Sequence, residues 1–298
     1  MSTNPTALSG TPAEFTESSA TALVNARWAQ TPDERLRTIL ESMVTHLHDF
    51  IRDVEPTHEE WQRAIDFLTA TGQKSDAVRQ EFILLSDVLG VSMLVDAINN
   101  RKPRGATEST VLGPFHMVDS PVRELGADIS LDRNGVPCVV AGRVLGIGGE
   151  ALPGALVDVW QANGDGFYDV QQPGVQPELN LRGLFTADHE GRFWFRSVLP
   201  APYPIPVDGP VGDLLHATRR DPHRPAHVHF IGGCSGYRPV TTHLFLEGSP
   251  YLDTDAVFGV KPSLVRPAVD VDDAARAAEY GVAAPFKLIE FDLVLTPA

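Results

Sequence analysis

The pattern of apolar and polar positions in the first third of the chain is helical. Apolar residues recur at helical spacing over residues 36–51, which predicts an amphipathic helix. The sequence Thr31-Pro32-Asp33-Glu34 is a capping box, so Thr31 is predicted to be the N-cap of this helix.

Two further helices are predicted before residue 105. Residues 57–60 form a second capping box, and the helix that follows is predicted to end at Gly72. A third helix is predicted over residues 75–99 and is apolar on most sides. An apolar helix of this kind is expected to be buried or paired with a partner.

After Pro103 the pattern changes to short apolar runs separated by turns, which is typical of a β-sandwich or barrel. Strands are predicted at residues 138–145, 155–162, 192–198, 227–231, 240–246 and 289–295. Residues 188–191 predict a hairpin turn and residues 272–280 a short helix. The predicted architecture is a helical N-terminal third followed by a larger β-domain.

Composition and charge narrow the class of protein. Among 298 residues, 24 Lys and Arg stand against 39 Asp and Glu, a net charge of −15. This balance argues against binding to nucleic acid or to an anionic membrane. No apolar run is long enough to span a membrane, and the N-terminus lacks the pattern of a secretory signal, so we expect a cytoplasmic protein. Cys138 and Cys234 are too few for a disulfide framework.

Histidine pairing gives the first chemical signal. His227 and His229 alternate with Val228 and Phe230, so in a strand the two imidazoles project from one side about 7 Å apart. Two convergent imidazoles suit Zn, Cu, Fe or Ni. Arg224, just upstream, adds a permanent positive charge. The alternative is a pair of surface histidines or satisfied core histidines.

Two tyrosines beside turn residues extend this site. Tyr168 lies in Gly-Asp-Gly-Phe-Tyr-Asp, and Tyr203 lies between Pro202 and Pro204. Each, taken alone, fits a tyrosine that packs its ring and bonds its hydroxyl to the backbone. Together with the two histidines, however, they supply anionic oxygen donors that favour Fe(III).

Four segments closely resemble the intradiol ring-cleavage dioxygenases. They are residues 158–170, 191–215, 224–230 and 108–116. The resemblance extends to residues 81–92, so it covers both parts of the chain. It implies an α+β fold, with an N-terminal helical dimerisation or linker domain at residues 1–105 and a mainly antiparallel β-sandwich catalytic domain at residues 106–298.

The resemblance also implies one non-haem Fe(III) per subunit and a role for each ligand. Tyr168 and His227 would be the equatorial ligands, and Tyr203 and His229 the axial ones. In the family, an aromatic diol displaces the axial tyrosine, which takes a substrate proton, and O2 cleaves the ring between the two hydroxylated carbons. Tyr203 and Arg224 are therefore the expected catalytic residues, with Arg224 stabilising charge on the ring.

The motif at residues 203–210 resembles the hydroxyquinol and chlorocatechol branch of the family. His243 stands where many catechol enzymes have glutamine. The residues that match the substrate-pocket positions of the hydroxyquinol enzymes are Leu84, Asp87, Val111, Gly113, Pro114, Phe115, Ile205, Pro206 and Val257, with Arg224 and His243 beside them.

Asp87 is the residue in this set that best distinguishes the substrates. A carboxylate in an apolar wall could accept a hydrogen bond from a third ring hydroxyl, which catechol and chlorocatechol lack. The expected reaction is therefore cleavage of 1,2,4-trihydroxybenzene (hydroxyquinol) to 3-hydroxymuconate or maleylacetate. The alternative for Asp87 is a solvated helix residue.

Three other functions stay open. A chlorocatechol or catechol 1,2-dioxygenase would keep the metal site and change only the pocket. A non-catalytic sandwich could bind a metal or a hydrophobic molecule, and His227 and His229 with a carboxylate could hold Zn or Fe(II). The resemblance further implies a homodimer formed through the N-terminal helices, with phospholipid bound between the subunits.

Overall fold

The computed structural model describes residues 14–76 and 79–298. The helices in those ranges are α1 (Ala20–Ala26), α2 (Glu34–Val54), α3 (His58–Lys74), α4 (Glu81–Val88), α5 (Val91–Asn99), α6 (Pro210–Ala217) and α7 (Ala274–Glu279). The strands are β1 (Pro137–Gly146), β2 (Leu156–Gln161), β3 (Arg182–Thr186), β4 (Arg192–Val198), β5 (Tyr203–Pro204), β6 (His223–Arg224), β7 (His227–Gly233), β8 (Tyr237–Arg238), β9 (Val240–Leu246), β10 (Val265–Arg266), β11 (Val269–Val271), β12 (Phe286–Glu290) and β13 (Leu293–Pro297). None of the described helices has the length and hydropathy needed to cross a membrane.

The caps of the first long helices are partly as predicted. The predicted N-cap at Thr31 is wrong: Asp33 caps α2, because its carboxylate accepts a hydrogen bond from the Leu36 amide at 3.0 Å. A carboxylate is a stronger acceptor for this amide than a hydroxyl. The capping box at the start of α3 is confirmed, with reciprocal bonds between Thr57 and Glu60. The predicted end at Gly72 is two residues early, since α3 continues to Lys74.

The third predicted helix is two helices. Of its residues 75–99, residues 77 and 78 lie outside the described part of the chain, and α4 and α5 are separated at Gly90. Gly90 has a φ of 72°, in the left-handed region that interrupts an α-helix and that glycine adopts without steric cost. The chain therefore turns between α4 and α5.

The chain divides into two compact units, Met1–Thr69 and Ala70–Ala298. In the first unit α2 exposes an apolar stripe. Its side chains are 45% to 55% exposed and belong to Leu36, Ile39, Met43, Leu47 and Phe50. The boundary predicted after residue 105 divides the chain by function, into a dimerisation domain and a catalytic domain, and it stays a prediction.

The second unit contains a β-sandwich, and the predicted α+β class is confirmed. One sheet has the order β11-β12-β1-β13-β8, with β4 paired to β1, and the other has the order β10-β9-β7-β2-β3. Most ladders are antiparallel, although β1 runs parallel to both β12 and β13. Buried side chains from both sheets form one core, among them Val140, Phe195, Val159, Phe230 and Leu244.

The turn predicted at residues 188–191 exists, but it does not make a hairpin. The Gly191 amide donates to the Asp188 carbonyl at 3.0 Å. However, β3 before the turn pairs with β2, whereas β4 after it pairs with β1. The turn therefore carries the chain from one sheet to the other, a long-range arrangement that the local sequence does not encode.

The last predicted strand, residues 289–295, is also divided. Strand β12 pairs with the first half of β1 and β13 with its second half, and the chain bends at Phe291 and Asp292. The Asp292 carboxylate accepts the Arg143 amide at 2.8 Å at the bend. Gly142 faces this bend, and a Cβ there would overlap the carbonyl oxygen of Phe291.

Gly142→Ala is therefore expected to lower the free energy of unfolding by about 3 kcal/mol or more, because the overlapping partner is backbone and not a movable side chain. Gly233→Ala in β7 is the matched control. Its added Cβ would meet only Pro239, at 3.9 Å, so a change below about 1 kcal/mol is expected. Guanidinium unfolding of the three proteins measures both values, and equal stabilities would contradict the packing at the bend.

Candidate metal and substrate site

The site lies on one face of β7, in the middle of its sheet. Val228 and Phe230 are fully buried in the sandwich core, so His227 and His229 project from the opposite face, as predicted. Pairing with β2 on one side and β9 on the other fixes the register of β7. The two imidazoles converge, with their Nε2 atoms 3.2 Å apart.

The two tyrosines reach these histidines from different loops. Tyr168 is 1% exposed, its amide donates to Oε1 of Gln171 at 2.9 Å, and its ring stacks on Phe115 with the centroids 4.5 Å apart. Tyr203 is 5% exposed and lies in β5, opposite Arg224 in β6. The tyrosine rings meet edge to face, and their hydroxyl oxygens are 3.3 Å apart.

The four predicted ligands thus form a closed ring of donor atoms. The Tyr203 hydroxyl lies 3.4 Å from Nε2 of His227, and the Tyr168 hydroxyl lies 3.0 Å from Nε2 of His229. With the two distances above, all four edges fall between 3.0 and 3.4 Å. Donors bound to one metal at about 2.0 to 2.1 Å and at cis or tetrahedral angles are about 2.9 to 3.4 Å apart. The ring therefore has the size of a metal site.

Burial and hydrogen bonding favour the metal-binding form of His227. Burial first, then the nearby Arg224 charge, holds the pKa of His227 well below its usual value. Its Nδ1 lies 2.7 Å from the Pro225 carbonyl, which can only accept, so Nδ1 carries the proton of the neutral ring. The lone pair on Nε2 then points into the ring of donors, where Arg224 Nη1 also approaches to 3.3 Å.

His229 is held by neighbouring rings. In the register of the sheet it lies opposite Trp160 of β2 and His243 of β9. The indole of Trp160 stacks on its imidazole at 4.6 Å and 14°. On another side is Gly113, where a Cβ would lie 3.0 Å from His229 Cε1. Nδ1 of His229 has no hydrogen-bond partner among the described residues, so packing orients this ring.

His243 is a third buried histidine at the site. The ligand atoms of His227, His229 and His243 lie within 4.8 Å of one another. Nδ1 of His243 bonds the Thr110 hydroxyl, and burial holds the pKa of His243 well below its usual value. Its Nε2 has no partner in the described chain, so His243 adds a neutral imidazole with an unpaired ring nitrogen beside the donors.

Arg224 is a buried cation with a buried counter-ion. It is 3% exposed, and its Nε donates to Oδ1 of Asp255 at 3.1 Å. Burial opposes the charged form, but Asp255, Tyr203 and Tyr168 raise the pKa of Arg224 above its usual value. Asp255 was missed in the sequence because it lies in a loop, 31 residues after Arg224, with no local motif. Trp160 was missed because cross-strand register is not visible in a single strand.

An apolar wall is formed by residues of α4, α6 and the loop between β5 and α6, which begins directly after Tyr203 and Pro204. It joins several predicted pocket residues, namely Leu84, Val111, Ile205 and Val257, with Val88, Val211 and Leu215. Pro114 is exposed, and neither it nor Pro206 belongs to this cluster. Phe115 packs on Tyr168 and not in the wall.

Asp87 is buried in α4, 8% exposed, so it is not a solvated helix residue. Burial raises the pKa of Asp87 above its usual value, although a hydrogen bond from Ser92 and the charge of Arg224 oppose the rise. A carboxylate in such surroundings needs hydrogen-bonding partners, and Ser92 supplies one of them.

Known proteins resemble the chain along nearly its whole length. Residues 114–297 match the Dioxygenase family, and residues 33–107 match the family described as Catechol dioxygenase N terminus. A hydroxyquinol 1,2-dioxygenase of Rhizobium sp. (strain MTP-10005) is 51% identical over 94% of this chain and 96% of its own length. A 6-chlorohydroxyquinol 1,2-dioxygenase of Cupriavidus pinatubonensis is 48% identical over 95% and 99%.

The fold agrees with these sequences. The crystal structure of a hydroxyquinol 1,2-dioxygenase from Pseudomonas putida DLL-E4 superimposes with a TM-score of 0.90 at 47% identity, covering 95% of this chain and 99% of that one. The motifs, the matched domains and the sandwich lead to the same conclusion: the chain belongs to the family of intradiol ring-cleavage dioxygenases.

Proposed function

We propose that the protein cleaves 1,2,4-trihydroxybenzene with O2 between its two adjacent hydroxylated carbons. Both oxygen atoms enter the product, 3-hydroxymuconate or its keto form maleylacetate. The observation that carries this choice is Asp87, a carboxylate buried beside an apolar wall. The relatives whose names include hydroxyquinol, at 44% to 51% identity, support the same substrate.

The proposed cofactor is one non-haem Fe(III) per subunit, held by Tyr168, Tyr203, His227 and His229. The residues fit this ion, because the four buried donors form a ring with edges of 3.0 to 3.4 Å and two of them are phenol oxygens, which favour the ferric state. When bound, Fe(III) supplies the Lewis acidity that makes loss of the diol protons feasible near neutral pH.

Tyr203 and Arg224 are the residues proposed to act on the substrate. Tyr203 lies in a two-residue strand between prolines, and its phenolate oxygen would take one of the substrate's hydroxyl protons. The guanidinium of Arg224 is buried and held by Asp255, so it would stabilise negative charge on the ring without first losing solvent. His243 Nε2, unpaired and adjacent, would face the bound ring.

Asp87 is proposed to select the substrate. Its carboxylate would accept a hydrogen bond from the third hydroxyl, while Leu84, Ile205 and Val257 contact the apolar ring. With catechol or chlorocatechol the carboxylate would stay buried without that bond, which costs binding energy. Gly113 is proposed to border the same space from the side of His229.

Assembly is proposed to be homodimeric, through the N-terminal helices and with phospholipid bound between the subunits, in the cytoplasm. The exposed apolar stripe of α2 supports this, because five large apolar side chains about half exposed on one helix face would be costly in water. The match of residues 33–107 to the N-terminal domain of catechol dioxygenases also favours oligomerisation.

The iron site predicts colour. Protein loaded with Fe(III) should show an intense visible absorption band from phenolate-to-iron charge transfer, and Tyr168→Phe should lose a large part of it. Tyr251→Phe, outside the ring of donors, is the control and should keep the band. A colourless wild-type protein with full iron occupancy would contradict ligation by the tyrosines and favour a histidine and carboxylate site.

The proposed substrate predicts a rank order in O2 uptake: 1,2,4-trihydroxybenzene above 4-chlorocatechol and catechol. Asp87→Asn should raise KM for the triol and narrow its advantage over catechol by about 10- to 100-fold, the value of a hydrogen bond to a charged group. Asp213→Asn, an exposed carboxylate on α6, is the control and should leave the ratio unchanged. Catechol turning over best in wild-type protein would refute the substrate.

If the apolar stripe of α2 forms the dimer interface, introducing charged side chains into it should prevent dimer formation. Met43→Glu with Leu47→Glu should convert a particle of twice the chain mass into a monomer in analytical ultracentrifugation, because two carboxylates cannot be buried there unpaired. Thr38→Glu lies on the opposite side of α2 and should stay dimeric. A dimer that persists in the double variant would place the interface elsewhere.

A further inference from the structure

Arg182 is a buried cation outside the ring of donors. It lies in β3 and its side chain is 1% exposed, paired with an Asp169 carboxylate that is 5% exposed. The pair is bidentate: Nε lies 2.9 and 3.0 Å from the two carboxylate oxygens, and Nη2 lies 2.6 Å from Oδ1. Asp169 directly follows Tyr168, so this ion pair fixes the backbone on the C-terminal side of that tyrosine.

The third nitrogen of the same guanidinium holds a second segment. Arg182 Nη1 donates to the carbonyl of Phe115 at 2.8 Å. The Phe115 ring in turn stacks on the Tyr168 ring, with 4.5 Å between centroids and 29° between planes. One side chain therefore binds both the residue after Tyr168 and the residue whose ring covers Tyr168.

Neither neighbour of Tyr203 in the chain can form an ion pair, because both are prolines, and its link to the buried Arg224–Asp255 pair runs only through the pairing of β5 with β6. Tyr203 lies in a strand of two residues, and its hydroxyl has contacts of 3.3 and 3.4 Å, to Tyr168 and His227. The two tyrosines thus differ in how firmly the protein holds them. Tyr168 is held through its neighbour, its amide and its ring, and Tyr203 mainly by β5 pairing with β6.

We propose that Arg182 is a positioning residue that clamps Tyr168, so that Tyr168 stays in place while Tyr203 is free to leave when substrate binds. This inference rests on the proposed function, in which the two tyrosines share one iron. In this proposal Arg182, which lies outside the donor ring, determines which of the two tyrosines leaves.

A guanidinium is needed for this role. Its planar fork meets both carboxylate oxygens and still offers a nitrogen to the Phe115 carbonyl, whereas the single ammonium of lysine cannot match the three directions. Burying the pair also costs solvation, and a well-packed apolar pair would often be at least as stable. Stability alone therefore does not account for the pair, and geometric precision at Tyr168 does.

The test compares Arg182→Lys with Arg192→Lys in the full chain loaded with Fe(III). Arg192 pairs with Asp188 on the surface, where it is 49% exposed, and serves as the matched control. Two quantities are measured: the rate of iron release to a chelator, and the tyrosinate resonance Raman band that persists when the triol is added without O2 to protein labelled with ring-deuterated tyrosine. Under the proposed function Tyr203 has then left, and the isotope shift distinguishes tyrosine from the bound triol, so the persisting band reports Tyr168.

Arg182→Lys is expected to release iron about 10- to 100-fold faster than wild type, because losing a partner that orients a metal ligand usually weakens metal affinity by that factor. It is also expected to shift and broaden the persisting band. Arg192→Lys should match wild type. A persisting band identical to wild type would overturn the clamp, whether or not iron release accelerates, because faster release alone reports general loosening.

Two further outcomes are distinguishable. If wild-type protein gives no phenolate band with iron, the proposed function fails, and the clamp with it. If Arg182→Lys does not fold, Asp169→Asn takes its place, because it keeps the side-chain size and one acceptor oxygen while removing the charge from the pair. The same shifted band supports the clamp, and an unchanged band refutes it.

Discussion

Strand β7 can hold two imidazoles side by side because its opposite face is closed by the core. Val228 and Phe230 are fully buried, and neighbours on both sides set the register of the strand. If β7 slipped by one residue, His227 and His229 would point into the core and Val228 and Phe230 would point into the site. Both the core and the site would then be lost. The strand register that stabilises the sandwich therefore also fixes the geometry of the site.

Burial then determines the chemistry of the donors. Burial raises the pKa of Tyr168 well above its usual value and lowers the pKa values of His227 and His229, so without a bound metal ion all three side chains are neutral. Neutral imidazoles are ready to bind a metal, whereas the phenol must lose a proton first. Metal binding by Tyr168 would thus be coupled to loss of its phenol proton, which burial makes harder than at an exposed site and which the nearby Arg224 charge makes easier.

The sequence was most informative where a pattern is local. The alternation around His227, the box at residues 57–60 and the family spacing of the tyrosines led to elements and donors that the structure brings together. It was least informative where distant segments decide. The bend at Phe291 depends on β1, the turn at residues 188–191 joins two sheets, and Trp160 faces His229 only through strand register. The break at Gly90 could have been predicted from the sequence, because a glycine inside a helical pattern weakens the prediction of a continuous helix.

The apolar wall is held in place because α4 is tied at its start. Glu81, fully buried at the beginning of α4, accepts the amide of Val211 in α6 at 3.2 Å and pairs with Arg79 at 2.8 Å. A carboxylate at the first turn of α6 satisfies an amide that the helix itself leaves free and favours its dipole. Because α6 follows the loop that carries Ile205, this bond fixes Asp87 and Ile205 relative to each other. The proposed discrimination by one hydroxyl would require such rigidity, since a wall that could shift would relax around an analogue lacking that hydroxyl.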